Sequence, residues 1–134
     1  AVDEPTTLLC GDLTFLHDGN ALLIGPDNAH PDLTIVVVND DGGGIFTTLE
    51  PGQERLADSF ERVFGTPTGA DLELVCKARG VAHELITDRD TLIERIQHPG
   101  KGIRVLEVRV ERSGERALVE RLAEVARQTI DSLD

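Results

Sequence analysis

Methionine, tryptophan and tyrosine are absent from this sequence, and its only aromatic residues are four phenylalanines. Bases are few: 13 Lys and Arg stand against 25 Asp and Glu, for a formal net charge of −12. They are scattered along the chain, with no basic stripe and no aromatic residues interleaved. A polyanion would meet a repulsive field and no stacking platform, so neither nucleic acid nor an acidic membrane surface is an expected partner. Cysteine is scarce too. Cys10 and Cys76 lie at unrelated spacing in apolar surroundings, which predicts buried free thiols in a reducing cytoplasm and no disulfide framework. No apolar run approaches the roughly 20 residues needed to span a bilayer, and no signal-peptide pattern precedes the first apolar run.

What is present reads as one globular domain. The chain has 134 residues, 40% hydrophobic and 28% charged, enough for a real core. Arg exceeds Lys eleven to two, which fits a GC-rich bacterial coding bias. Residues 6–11 and 33–38 are β-branched, nearly all-apolar runs, and predict parallel strands buried on both faces. A short helical stretch carrying Leu13, Leu16, Ala21, Leu22 and Ile24 joins them and stops at Gly25-Pro26. Apolar spacing over Leu56, Phe60, Val63 and Phe64 predicts a helix within 53–64. Asp71 caps a helix through Arg79, residues 81–86 form a third strand, and Thr87 or Asp88 caps a helix over 89–97. Alternation from Ile103 to Val110 suggests a strand nearer the edge. A last helix begins at Ser113 and carries Leu118, Leu122, Val125, Ala126, Ile130 and Leu133 on a core-facing side. The order β-α-β-α-α-β-α-β-α is that of a doubly wound α/β fold with a mostly parallel sheet and helices on both faces.

Two acidic clusters follow the first two strands: Gly11-Asp12-Leu13-Thr14, and Asn39-Asp40-Asp41-Gly42-Gly43-Gly44-Ile45-Phe46. Ligands of open α/β sheets bind outside the carboxyl ends of strands. Carboxylates meeting there, with glycines that let backbone approach closely, describe a divalent cation beside a phosphate. An acidic domain binds a diphosphate most economically through such a cation.

The same residues resemble thiamine diphosphate enzymes, whose motif opens Gly-Asp and closes nearly thirty residues later with Asn-Asn at a strand end. Within that group, the opening Gly11-Asp12-Leu13-Thr14 and the closing Gly43-Gly44-Ile45-Phe46 resemble the 2-succinyl-5-enolpyruvyl-6-hydroxy-3-cyclohexene-1-carboxylate (SEPHCHC) synthases of menaquinone biosynthesis. The likeness is strong over residues 9–49 and looser beyond. It implies the C-terminal part of a diphosphate-binding domain, cut from a larger chain. The lack of Met and a motif only ten residues from the start agree with that expectation.

By the resemblance, Asp12 and Asp40 give side-chain oxygens, and Gly42 its carbonyl, to Mg²⁺ or Mn²⁺. The family commonly has Asn where Asp40 stands, and Asn39 or Asp41 as the ligand is the competing register. Gly11, Leu13 and Thr14 are expected at the thiamine diphosphate, with Gly43 and Ile45 also against the cofactor. Ile45, Phe46 and Leu49 are expected to face substrate. The implied reaction decarboxylates 2-oxoglutarate and adds the succinyl carbanion equivalent to isochorismate. No catalytic residue is expected in this chain: the activating glutamate belongs to a pyrimidine-binding domain of a partner subunit in a homo-oligomer, and the chain alone should be inactive. Another thiamine diphosphate decarboxylase or ligase, such as an acetolactate synthase-like enzyme, is the alternative.

Plainer readings compete at several positions. Asp12 and Asp40 could simply cap helices, Gly42–Gly44 could be a flexible turn, and Ile45 and Phe46 could be core. His17, His30, His83 and His98 share no metal-like spacing. Asp88, Asp90 and Glu94 read as a solvated face, as do Glu107, Glu111 and Glu115. A Mg²⁺-binding receiver-like regulatory domain is the rival from another class, but it needs a lysine after a late strand, and Lys101 precedes one.

Overall fold

The computed structural model describes residues 4–112 and 114–132. They fall into two compact units. The first, Ala1–Asp41 with Thr68–Val110, contains the whole sheet; the second is Gly42–Pro67 with Glu111–Asp134.

In chain order the sheet unit runs β1 (Thr6–Gly11), α1 (Asp12–His17), β2 (Leu33–Asn39), then α3 (Leu72–Lys77), β3 (Ala82–Ile86), α4 (Arg89–Gln97) and β4 (Ile103–Arg109). α2 (Ala57–Phe60) and α5 (Glu115–Asp131) belong to the second unit. All strand pairs are parallel, in the order β1-β2-β4-β3, so the doubly wound α/β expectation holds. One sheet face packs Ile35, Val37 and Val105 against Phe15, Leu22, Leu72 and Cys76. The other packs Val36, Ile86 and Leu106 against Leu92 and Val108. Each such fully buried aliphatic side chain contributes about 1.5–3 kcal/mol. Asp71 and Asp88 cap α3 and α4 as expected, accepting from the N–H of Leu74 at 3.0 Å and of Thr91 at 2.9 Å.

Two positional expectations are corrected. β1 is an edge strand, not one buried on both faces, and Leu9 is 68% exposed. β4, expected nearer the edge, lies between β2 and β3 with Val105, Leu106 and Glu107 buried. The polar residues that break its apolar run are satisfied internally: Arg104 Nε donates to Thr34 Oγ1 at 2.9 Å, and Glu107 gathers three donors.

In the second unit the helix expected over 53–64 is broken into short turns, with α2 only four residues long. The segment Glu61–Gly65 is wound wider, closed by Thr66 N–H on the Glu61 carbonyl at 2.7 Å. The Phe64 ring stacks obliquely on Phe46 and Phe60, at 5.6 and 6.2 Å between centroids. α5 was expected to face a core, yet none of its residues is buried, and Leu118, Leu122, Val125 and Ile130 are exposed. Ser113 and Leu133, the expected first and last contributors, lie outside the described residues. No helix among the described residues is long and apolar enough to cross a membrane.

Candidate functional site

Parallel pairing sets Gly11 of β1 opposite Val38 of β2. Asp12 therefore follows directly beyond one strand, and Asn39-Asp40-Asp41 ends its neighbour, at the same carboxyl rim of the sheet. Asp12 opens α1, is 2% exposed, and its Oδ1 accepts from the Leu13 N–H at 2.8 Å. Gly11 has an ordinary extended backbone (φ −84°, ψ 166°), and a Cβ built on it would meet nothing within 4 Å. Neither backbone nor packing requires glycine there.

The loop after β2 is anchored on both sides of Asp40. Asn39 Nδ2 donates to Glu107 Oε1 at 2.8 Å, while its Oδ1 accepts from the Asp41 N–H at 3.0 Å. Asp41 takes a left-handed backbone, φ +54°, and its Oδ1 accepts from the N–H groups of Thr68 and Gly69 at 3.0 and 2.9 Å. The two residues of the competing ligand register thus use their side chains to shape the loop. Asn39, Asp40 and Asp41, with Gly69, Asp71 and Arg109, border an open cleft of about 400 Å³.

Among the described residues no three His, Cys, Asp or Glu side chains gather into a metal cage. Mg²⁺ does not ask for one: it is commonly held by one or two carboxylates, with phosphate and water oxygens completing the octahedron. Two acids on adjacent strand ends beside an uncrowded glycine fit such an ion with a bound diphosphate.

Glu107 overturns its reading as part of a solvated face. It is 0% exposed and accepts from Asn39, from Arg109 Nε at 2.7 Å and, across the strand pair, contacts His83 Nε2 at 2.8 Å. Burial alone would raise its pKa; the hydrogen bonds from Arg109, Asn39 and His83, with the Arg109 charge, outweigh that and hold the carboxyl below its ordinary value. The sequence carried one signal for this. Glu107 is two residues from Val105, and strand alternation places it on the same, packed face.

The second unit holds the remaining expected residues. Gly42 has φ +138°, and a Cβ there would lie 1.9 Å from the Gly65 carbonyl oxygen; one on Gly43 would lie 2.3 Å from that of Phe64. These glycines allow close backbone packing, so the flexible-turn reading does not describe them. Ile45 and Phe46 follow in a short 3₁₀ turn, Gly44–Thr48, and Leu49 directly after it, exposed at 66%, 36% and 50%, not in a core. α5 fixes this segment through Arg116, whose Nε and Nη2 donate to the carbonyls of Thr47 and Leu49 at 3.0 and 2.8 Å. Thr47 Oγ1 donates to Glu115 Oε2 at 2.9 Å. Glu115 and Arg116 carried no local sequence signal, because their partners lie nearly seventy residues away.

Lys101 is placed at the wrong end for a receiver domain. It precedes β4 and pairs with Asp32, which precedes β2, at 2.7 Å. That pair sits at the amino ends of the strands, opposite the rim that carries Asp12 and Asp40.

No family profile matches the chain. Curated proteins do. A SEPHCHC synthase of Saccharopolyspora erythraea is 51% identical over 118 residues, covering 88% of this chain and 21% of that protein. The corresponding synthase of Rhodococcus erythropolis is 56% identical over 114 residues, 84% of this chain and 21% of the relative. That of Kineococcus radiotolerans is 47% identical over 126 residues, 94% and 23% respectively. The chain spans about a fifth of the length of these curated relatives. As a segment of that length, it belongs to the family of 2-succinyl-5-enolpyruvyl-6-hydroxy-3-cyclohexene-1-carboxylate synthases.

Proposed function

We propose that this chain is the diphosphate- and metal-binding part of a thiamine diphosphate enzyme, the C-terminal part of its diphosphate-binding domain. The whole protein would be a cytoplasmic homo-oligomer that decarboxylates 2-oxoglutarate and joins the succinyl unit to isochorismate in menaquinone biosynthesis. Asp12, Asp40 and the Gly42 carbonyl would hold Mg²⁺ or Mn²⁺. A cation on Asp12 would draw its carboxylate off the Leu13 N–H, leaving that donor to the diphosphate beside Gly11 and Thr14. Gly43 and Ile45 would line the cofactor, and Ile45, Phe46 and Leu49 would offer apolar surface to the substrate. The cofactor, when bound, supplies the electron sink for decarboxylation and carbon–carbon bond formation. The protonating and activating groups would come from the pyrimidine-binding domain of a partner subunit.

The observation that carries this reading is the placement of Asp12 and Asp40 beyond the carboxyl ends of hydrogen-bonded parallel strands. Calorimetry on the full-length polypeptide carrying this segment tests it. Thiamine diphosphate should bind only with Mg²⁺ or Mn²⁺ present, and 2-oxoglutarate with isochorismate should then release carbon dioxide. Metal-independent binding, or labelling of an Asp by acetyl phosphate instead, defeats the reading. The 134-residue chain mixed with cofactor, Mg²⁺ and both substrates should release none.

A further inference from the structure

We propose that Glu107 is a positioning residue for the metal-binding loop, orienting the Asn39 amide and, through it, the Asp40–Asp41 turn. The inference rests on the metal reading above and adds a residue outside the loop to it.

An ionised Glu only accepts hydrogen bonds, whereas an Asn side chain has a donating and an accepting end. With Glu107 Oε1 2.8 Å from Asn39, the amide must present Nδ2 to it. Oδ1 is thereby turned outward to receive the Asp41 N–H at 3.0 Å. That bond closes a local turn in which Asp41 adopts φ +54°, a conformation an Asp visits with the help of such side-chain contacts. Asp40 sits inside this turn, so its direction follows from the amide's. Glu107 is itself immobilised: it is fully buried in a central strand, with Arg109 from its own strand also on Oε1 and His83 from β3 on Oε2. Loss of a partner bonded directly to a metal ligand characteristically changes metal affinity by about 10- to 100-fold, and Glu107 acts on the ligand Asp40 through Asn39.

A reversal of the hydrogen bond separates positioning from mere stability. Asn39→Asp sets two carboxylates face to face. Adding Glu107→Gln restores one donor and one acceptor between the two side chains with the total charge of the unsubstituted protein; Arg109, whose Nε donates to that same Glu107 Oε1, is left to pair with the carboxylate introduced at position 39, which can still accept from the Asp41 N–H. Mn²⁺ binding to the full-length protein with saturating thiamine diphosphate is read by the spin-resonance signal of free Mn²⁺, with the melting temperature of each variant alongside. Asn39→Asp should weaken Mn²⁺ binding by about 10-fold or more, and the double variant should recover most of that loss. The inference is overturned if Asn39→Asp binds Mn²⁺ as tightly as the unsubstituted protein, or if the double variant melts normally but stays as weak as the single one. Should Asn39→Asp fail to fold, the double variant is read against the unsubstituted protein: near-equal affinity supports the role, and weak binding at a normal melting temperature overturns it. Failure of the unsubstituted protein to bind Mn²⁺ with the cofactor overturns the metal reading and the inference with it; failure of the swap alone leaves that reading standing.

Discussion

A Cβ built on Gly42 would lie 1.9 Å from the carbonyl oxygen of Gly65, the same oxygen that accepts the Gly43 N–H at 2.8 Å. The φ of Gly42, +138°, is also one that other residues rarely adopt. Gly42→Ala should therefore destabilise the protein by more than about 1 kcal/mol, through backbone strain and the loss of this close approach. Urea unfolding followed by circular dichroism measures it. A midpoint unchanged from that of the unsubstituted protein would remove the packing argument.

Gly11 predicts the opposite behaviour. Its backbone is ordinary, and a methyl group there enters open space. Gly11→Ala should leave stability unchanged or raise it by up to about 1 kcal/mol. If the diphosphate approaches here, thiamine diphosphate affinity should nonetheless fall by about tenfold or more. Unfolding and calorimetry on the same preparation separate the two effects, and unimpaired binding would take Gly11 out of the site.

The contrast between these glycines shows what could be read from residue order. The strand ends and the Gly11-Asp12 and Asn39–Phe46 motifs were legible because turn chemistry and strand periodicity are local. The difference between a glycine demanded by packing and one left open to a ligand was not, because the Gly65 carbonyl lies more than twenty residues away. The same reason hid Glu107. Its charge reads as solvent-facing until β2 and β3 bring Asn39 and His83 to it. Strand order was equally invisible: the apolar run of β1 reads as central although it lies at an edge, and the broken run of β4 reads as peripheral although it lies inside. Both cysteines, expected to be free and buried, are free; Cys76 is buried and Cys10 partly so.

Those cysteines give a chemical test of the fold. Burial pushes the Cys76 thiol up to about 11, and burial also raises Cys10. The thiolate is the reactive form, so a raised pKa lowers reactivity at any pH below it. At about pH 8, below both raised values, a disulfide reagent should label Cys10 slowly and Cys76 only on unfolding in denaturant. Thiolate at Cys76 should appear as the pH rises toward about 11. Rapid labelling of Cys76 in the native protein would contradict its place between α3 and the sheet.

On the proposed function, Asp12 and Asp40 together hold the cation through which this acidic chain binds a diphosphate. The direct measurement is the calorimetric affinity of the full-length protein for thiamine diphosphate, with and without Mg²⁺, for the unsubstituted form and for Asp12→Ala and Asp40→Ala. Binding should depend on Mg²⁺, and each substitution should weaken it by more than about tenfold. Binding without Mg²⁺, or affinity unchanged in either variant, would contradict this.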